Sequence, residues 1–573
     1  MWSNSLFGSV RELSDVSKNV LKRYLHDGES EWSDIVTRVV DYVITDKSDD
    51  YGDTYNLILN RYFVPNSPCL VNSGNPSGGL AACFVVDFPD SIEGIFKTKL
   101  DFALIAQKGG GCGTTLSNIR PKGSHVSGST HGYAGGPVNF FNTICHDMDI
   151  MTQGGFRAMA MMGTMSVYHP DILEFITSKE VEGKLHTTNI SVVVDDSFME
   201  RVENDEGHQT FFIEGEEIVL GPKYMARELF SCIVEHAWRN GEPGILFQDR
   251  MDDSPYKYSK QKVLATNPCG EQPLPFNGMC NLGSLDMSKF VDDDLKIPLE
   301  KLELAVRLGV RFLDSVIDRT SYPTKGIEKW SKQNRPVGLG IMGFADYLLK
   351  RGVVYGSEQS VKELTFFLKF VYAIAEDESI RLGKKFGAPK ACRKLPTPRR
   401  NVTLLTVAPT GSTSLIAGCN ESIEPFFSDT IFRIDSTGKY EMSNNSENES
   451  FRCAISSVGN TDAEVTWEDH VRIQATAQSI VDSGVSKTIN FRNDATMNDI
   501  SNALIAAWST KIIKGVTVYR NGSRNVEVLT TQKPESFDTA RDNSCPICGM
   551  DLVRSAGCSS CPSPACTFSK CDI

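Results

Sequence analysis

No window of about 18 apolar residues occurs in the 573-residue chain, so no helix is expected to span a membrane. The opening residues, Met1-Trp2-Ser3-Asn4-Ser5-Leu6-Phe7, lack a basic stretch followed by a long apolar run. That is not a secretion signal, and a cytoplasmic protein is expected. Basic residues are in deficit, 59 against 72 acidic, for a net charge of -13. The pairs Arg393-Lys394 and Arg399-Arg400 are too short for the basic stripe that polymeric nucleic acid demands. The glycine-rich Lys108-Gly109-Gly110-Gly111-Cys112-Gly113 has no Gly-Lys-Ser/Thr ending, so it is not a Walker phosphate loop. No internal repeat at solenoid periods is present. Small phosphorylated ligands stay compatible, because backbone N–H groups can hold them.

Cysteine, by contrast, is plentiful. There are 16, and six of them fall in the last 29 residues. Disulfide-dense secreted scaffolds are short, whereas this chain is long and shows no export signal. Reduced thiols, metal ligands or redox catalysis are therefore the readings to pursue.

Apolar spacing predicts a helical lead over residues 1–62, from Leu21, Tyr24 and Leu25, then Val36, Val39, Val40 and Val43. From Phe63 short apolar runs alternate with glycine-rich turns and amphipathic helices, which predicts an α/β body over 63–528. Strands are expected at 83–86, 189–194 and 402–407, and helices at about 138–153, 302–318 and 361–386. The polar stretch 443–450 reads as a surface loop. Residues 529–543 read as a linker and 544–573 as a Cys-rich tail.

The segment Ala265-Thr266-Asn267-Pro268-Cys269-Gly270-Glu271-Gln272-Pro273 sets Asn, Cys and Glu at alternate positions. If it is extended, the three side chains face one way. A thiol, a proton acceptor and an amide would then share one cavity. A loop with a buried cysteine fits the same residues. Cys280 follows eleven residues after Cys269, and Cys83 opens an earlier strand. Either alone reads as a small core residue, and spacing does not pair them. Ala408-Pro409-Thr410-Gly411-Ser412 lies between a strand-like run and an apolar stretch. It reads either as a capped helix start or as a cradle for a phosphate. In the tail, Cys545-x-x-Cys548 and Cys558-x-x-Cys561 stand nine residues apart, which suits a tetrahedral zinc site.

Asn267-Pro268-Cys269-Gly270-Glu271-Gln272 resembles the active-site segment of ribonucleotide reductases. Further segments resemble that family in the family's order: 65–68, 117–124, 169–173, 241–245, 338–346, 484–490 and 515–520. Together they extend over about residues 60–573. The resemblance implies a ten-stranded α/β barrel that reduces ribonucleotides, most naturally diphosphates, to deoxyribonucleotides.

By the same resemblance, Cys269 matches the thiyl radical that removes the 3′ hydrogen of the ribose. Glu271 matches the base for the 3′ hydroxyl, and Asn267 the residue that bonds substrate hydroxyls. Cys83 and Cys280 match the dithiol that supplies two electrons and closes to a disulfide, which needs Cα atoms about 5.5 Å apart. Ala408, Pro409, Thr410, Gly411 and Ser412, with Ser67, match the substrate's phosphate site. Cys566 and Cys571 resemble the mobile terminal pair that passes electrons from thioredoxin or glutaredoxin by thiol exchange. Here Pro562-Ser563-Pro564-Ala565 widens the gap after Cys561, so the tail departs from the usual pattern. Cys112 has no family role and reads as packing.

Relatives that take their radical from a metal-containing subunit carry two adjacent tyrosines late in the barrel. This chain has Val518-Tyr519-Arg520, with one. The step from Cys269 to Cys280 is similar to that of the cobalamin-dependent class, and no C-terminal glycyl-radical motif is present. Adenosylcobalamin is therefore the expected cofactor, although the sequence has no Asp-x-His-x-x-Gly motif, which this class does not require. The resemblance also implies a homodimer with a deoxynucleotide effector read by loops at 119–136 and 154–163. The second loop departs from the family, being methionine-rich where relatives carry arginines. Little chain precedes Asn66, so overall control by ATP and dATP through an extra N-terminal domain is not expected. Two other readings stand beside this one: a large subunit dependent on a metal-containing partner, and a non-catalytic zinc-ribbon protein that binds nucleic acid.

Overall fold

The computed structural model describes residues 6–8, 12–45, 50–126, 131–151, 159–180, 185, 188–435, 438–523, 529–531, 533, 553–555, 558–560 and 569–571. Three helices lead the chain, Asp15–Leu21, Trp32–Val43 and Asp50–Leu59. The middle one buries Trp32, Ile35, Val36, Val39, Val40 and Val43, a single face at helical spacing, and a reciprocal Glu31–Asp34 capping box starts it. The first helix stops at Leu21, short of the expected Tyr24 and Leu25. Tyr24 instead closes a turn onto the Leu21 carbonyl and sends its hydroxyl to Ser67 Oγ at 3.0 Å. That tertiary bond replaces the helical continuation.

The strands are β1 (Phe63–Pro65), β2 (Cys83–Val85), β3 (Gly111–Thr115), β4 (Met161–Ser166), β5 (Thr188–Val194), the hairpin β6 (Gly207–Glu214) and β7 (Glu217–Met225), and β8 (Gly244–Phe247). A short hairpin, β9 (Ala265–Thr266) and β10 (Pro273–Leu274), precedes β11 (Gly278–Asp286) and β12 (Val337–Met342). Then come β13 (Thr430–Asp435), β14 (Gly438–Ser443), β15 (Thr488–Phe491), β16 (Gly515–Arg520) and β17 (Leu529–Thr530). The tail contributes β18 (Val553–Ser555), β19 (Cys558–Ser560) and β20 (Ser569–Cys571), which pair antiparallel with Cys558 opposite Cys571.

Ten strands form one sheet, in the order β1-β11-β2-β3-β4-β5-β8-β16-β15, with β12 on the other edge of β11. β2, β3, β4, β5 and β8 run parallel to one another. β11 and β16 flank that set antiparallel, and β12 and β15 run parallel to them. Residues 403–407 close the ring. Leu405 bridges Leu339 of β12, and Val407 bridges Val485 just before β15, both parallel. The expected strand at 402–407 is thus extended but makes only isolated bridges. Its ladder is interrupted because Asp482 Oδ2 accepts the N–H groups of Leu404 and Leu405, at 2.7 and 3.2 Å.

Helices cover the outside of the barrel. Ile92–Gln107, Pro137–Met151, Leu299–Arg319 and Glu358–Phe386 are the long ones, and the last three lie within a few residues of their expected spans. One apolar cluster joins the N-terminal lead to β1, β11, β12 and the helices around them, and a second fills the other side of the barrel. Buried Cys112 belongs to the second, as a packing residue would. Leu529 and Thr530, read from composition as linker, pair with β13.

Candidate active site

The β9–β10 hairpin enters the barrel, and glycines on the staves make room for it. A Cβ on Gly113 of β3 would lie 1.8 Å from Thr266 O, and one on Gly484 would lie 2.7 Å from Gly270 O. Only a residue without a side chain fits so close an approach. The hairpin is then tied in place. Asn189 Nδ2 donates to Pro268 O at 2.9 Å, Gly484 N to Glu271 O at 2.7 Å, and Thr406 Oγ1 to Glu271 O at 2.9 Å.

Residues 267–271 are not extended, contrary to the alternation argument. Gly270 has φ +80° and its N–H donates to Asn267 O at 3.1 Å, so Pro268-Cys269-Gly270 is a turn. Asn267 and Glu271 stand on the two arms, both about 1% exposed, while Cys269 is exposed at the tip. Asn267 and Glu271 still converge, because both arms reach Cys83. Asn267 Nδ2 donates to Cys83 Sγ at 3.1 Å, and Cys83 Sγ donates to Glu271 Oε1 at 3.6 Å.

Cys83 of β2 and Cys280 of β11 are direct partners across an antiparallel pair. Opposed residues in such a pair have Cα atoms roughly 4.5–5.5 Å apart, within disulfide reach. Both thiols are buried and reduced. Burial first, then the Glu271 charge, raises each well above the ordinary thiol range; the neighbouring Cys280 and Cys269 push Cys83 further. Both are thus protonated at neutral pH, the form that gives up hydrogen.

Cys269 opens onto a cavity of about 900 Å³. Pro409, of the phosphate-site candidates, lines it. Thr410, at φ +59°, precedes the helix Gly411–Ala417, and no side chain caps that helix's first turn among the described residues. Thr410 Oγ1 instead accepts the Ser422 N–H at 2.8 Å, so the first-turn N–H groups are not spent on it. Ser67 lines a separate small cleft of about 40 Å³ beside Lys108. Several lining residues were not singled out from the sequence: Ser14 and Val16 of the lead, Glu421, Glu424, and Arg433 of β13. Lys487 also lines the cavity and lay within a motif, but without an assigned role. Ser443 and Asn444, from the stretch read as a surface loop, face it as well. Glu424 Oε2 pairs with Lys487 Nζ at 2.5 Å, and Lys487 also donates to His470 Nδ1 at 2.8 Å. No spacing rule brings such residues together, since they come from four separate segments.

In the tail, Cys545, Cys548, Cys561 and Cys566 lie outside the described residues, as do the side chains of Cys558 and Cys571. The same holds for 127–130 and 154–158 of the two effector loops. Among the described residues, no helix is long and apolar enough to cross a membrane.

A barrel with a thiol-tipped hairpin through its centre and a thiol pair on its wall defines a thiol-based α/β-barrel oxidoreductase. Residues 81–394 and 395–519 match the family described as ribonucleotide reductase, barrel domain. The vitamin B12-dependent ribonucleoside-diphosphate reductase of Thermoplasma acidophilum is 39% identical over 510 residues, covering 82% of this chain and 66% of that protein. The Mycobacterium tuberculosis protein of the same name is 35% identical over 511 residues, covering 84% and 73%. The chain therefore spans about two thirds to three quarters of these relatives' length. The class Id ribonucleotide reductase alpha subunit of Actinobacillus ureae shares the fold, with TM-score 0.73, 22% identity, and coverage of 89% of this chain and 97% of that one. This chain belongs to the ribonucleotide reductase family.

Proposed function

We propose that the chain reduces ribonucleoside diphosphates to 2′-deoxyribonucleoside diphosphates by a thiyl radical on Cys269, with adenosylcobalamin as the radical source. The observation that carries this reading is the convergence of an exposed Cys269 with a buried dithiol, a carboxylate and an amide at one hairpin. The cofactor fits what is present. Its reactive group needs open space beside the thiol, and Cys269 is exposed to a cavity near the upper end of the roughly 300–1,000 Å³ usual for ligand sites. Glu242, Asn490 and Tyr519 line that cavity with Cys269 and are the residues we assign to holding it. When bound, adenosylcobalamin supplies the one-electron chemistry that removes the hydrogen atom of the Cys269 thiol.

The remaining steps belong to this chain's own residues. The Cys269 thiyl takes the 3′ hydrogen of the ribose, and Glu271 accepts the 3′ hydroxyl proton. Asn267 bonds the substrate hydroxyls and aligns Cys83. Cys83 and Cys280 give two electrons and two protons as the 2′ hydroxyl leaves as water, and they become a disulfide. Cys269 then returns its hydrogen to C3′, and Glu271 returns its proton to the 3′ oxygen. The diphosphate sits on the N–H groups of 408–412.

We further read the chain as a homodimer with a deoxynucleotide effector. Ile92, Phe96 and Leu100 support this, forming an exposed apolar stripe along one helix. Cys566 and Cys571 would relay electrons from a thioredoxin or glutaredoxin, and Cys545, Cys548, Cys558 and Cys561 would hold zinc.

The test is CDP reduction by the purified chain with dithiothreitol, with and without adenosylcobalamin. Product only with the cofactor, abolished in Cys269→Ala, is expected. Absence of product under anaerobic conditions across several effectors would overturn the self-sufficient reading.

A further inference from the structure

A buried cation on the wall of the central cavity has no part in the chemistry above. The Lys487 side chain has no exposed surface, and taking an ammonium out of water is costly unless it is well paired. Three segments supply the pairing. Glu424 Oε2 stands 2.5 Å from the ammonium, His470 Nδ1 accepts from it at 2.8 Å, and the Tyr355 ring centre lies 5.8 Å away. Glu424 Oε1 also accepts the Thr488 N–H at 2.8 Å, so one carboxylate holds two successive residues.

Residues 484–488 touch both halves of the substrate site. At their start, Gly484 N donates to Glu271 O at 2.7 Å, on the hairpin that bears Cys269. Val407 N donates to Gly484 O at 3.2 Å, and Ser486 N to Val407 O at 2.8 Å. Val407 is the residue just before the phosphate turn 408–412. From there the chain runs through the helix Gly411–Ala417 and returns to the same segment at Glu424. The turn is therefore a span pinned at both ends on 484–488. Within the span, the Ser422 N–H bonds Thr410 Oγ1 at 2.8 Å, so a shift at Glu424 passes to the turn through one short link. The loop has further supports. Asp346 Oδ2 accepts the Asn420 N–H at 2.6 Å, and the Tyr355 hydroxyl donates to Ile423 O at 2.8 Å. Those bonds fasten the loop to residues 346 and 355, not to the segment that holds the hairpin.

We propose that Lys487 is a positioning residue, whose pair with Glu424 sets the phosphate turn at a fixed distance from the Cys269 hairpin. This deepens the reading above and rests on it. A buried ion pair is weak grounds for stability alone, because apolar groups of similar volume often serve as well. Register between two binding elements is a different use. An ion pair with two directed N–H bonds fixes orientation as well as contact. A nucleoside diphosphate spans both elements, its ribose at the hairpin and its phosphates at the turn, so the phosphates read the register. Cytidine, which lacks them, does not.

The experiment is equilibrium binding of CDP and of cytidine to the full chain by calorimetry, without cobalamin, beside denaturant unfolding. The parent is compared with Lys487→Met and with the double variant Lys487→Met/Glu424→Gln. In both, the advantage of CDP over cytidine should shrink roughly tenfold, the weight of about one hydrogen bond, with cytidine itself held within twofold. The single variant leaves Glu424 without its cation, so its unfolding midpoint should fall. The double variant orphans no charge, and its new amide still accepts the Thr488 N–H. Its midpoint should recover while the reduced advantage stays, and it decides the matter if the single variant does not fold. An unchanged advantage in the double variant, or one that recovers with the midpoint, overturns the proposal. A parent chain that binds CDP no better than cytidine overturns the phosphate reading itself, and this proposal with it.

Discussion

Two of the cavities lined by described residues differ in how their charges are answered. The second, about 610 Å³, lies by Asp196, Arg250, Arg399, Asp482 and Lys514. There the cations meet acids or carbonyls: Arg250 and Lys511 meet Asp196 at 2.7 and 3.0 Å, Arg399 meets Glu376 at 2.8 Å and Asp482 at 3.6 Å. Lys514 donates to the carbonyls of Asp482 and Ser483 at 2.6 and 2.8 Å. Asp482 also takes the two N–H groups that interrupt the closing strand. This cavity is fastening for the barrel. The central one instead exposes the Cys269 thiol, on a hairpin whose buried arms meet the Cys83 thiol. Paired charges fasten the barrel at the one, and an exposed thiol beside buried, protonated thiols marks the other as the place of chemistry.

That contrast is broken if variants in the two cavities act alike. The largest effect is expected at Arg399→Met. It leaves buried Asp482 without its cation, which typically costs about 3–5 kcal/mol. Denaturant unfolding should show that loss, while turnover per folded molecule stays near the parent value. A large fall in turnover with stability intact would assign the second cavity a catalytic role.

Next comes Gly113→Ala. The added Cβ meets Thr266 O and displaces the hairpin that bears Cys269. Overpacking of this kind costs about 1–3 kcal/mol, and an ångström of misplacement about 100-fold in rate. Turnover should therefore suffer more than stability, and the reverse outcome would remove the hairpin's position as the reason for glycine there.

The smallest effect sharpens the comparison through pH. Burial lowers Lys514 to about 8, against the raising influence of Asp482 and Asp253. In the unfolded chain a lysine titrates near 10.4. Between these values the unfolded state binds more protons, so this residue's contribution to stability rises with pH above about 8 and is absent below it, by at most about 1.4 kcal/mol per unit. Buried thiols such as Cys83 and Cys280 act the other way, because they stay protonated when the unfolded thiols ionise. The difference between the parent chain and Lys514→Met isolates the lysine. An identical pH slope from 7 to 9 in both would show that Lys514 does not titrate as its burial requires.

Much of this was legible along the chain. The buried stripe of Trp32–Val43 follows directly from 3.6-residue spacing, and β5 from a β-branched run ending in three valines. The convergence of Asn267, Cys269 and Glu271 was legible too, but by a mistaken route. The alternation argument assumed an extended strand, whereas a turn at Gly270 sets the two arms face to face around Cys83. Val402–Val407 likewise has strand composition, yet the N–H groups of Leu404 and Leu405 go to Asp482, 78 residues from Leu404.

The sequence by itself determined the chemistry available here: which residues carry thiols, carboxylates and amides, where helices and turns fall, and the family motifs in their order. Local composition suffices for those, because side-chain type and short-range periodicity are properties of neighbouring residues. Only the tertiary structure decided that Cys83 faces Cys280, that glycines on distant staves admit the hairpin, and that Arg433 and Glu421 meet at the cavity wall. Those are encounters between segments as far apart in the chain as Gly270 and Gly484. They are set by ring closure and close packing, which no local pattern encodes.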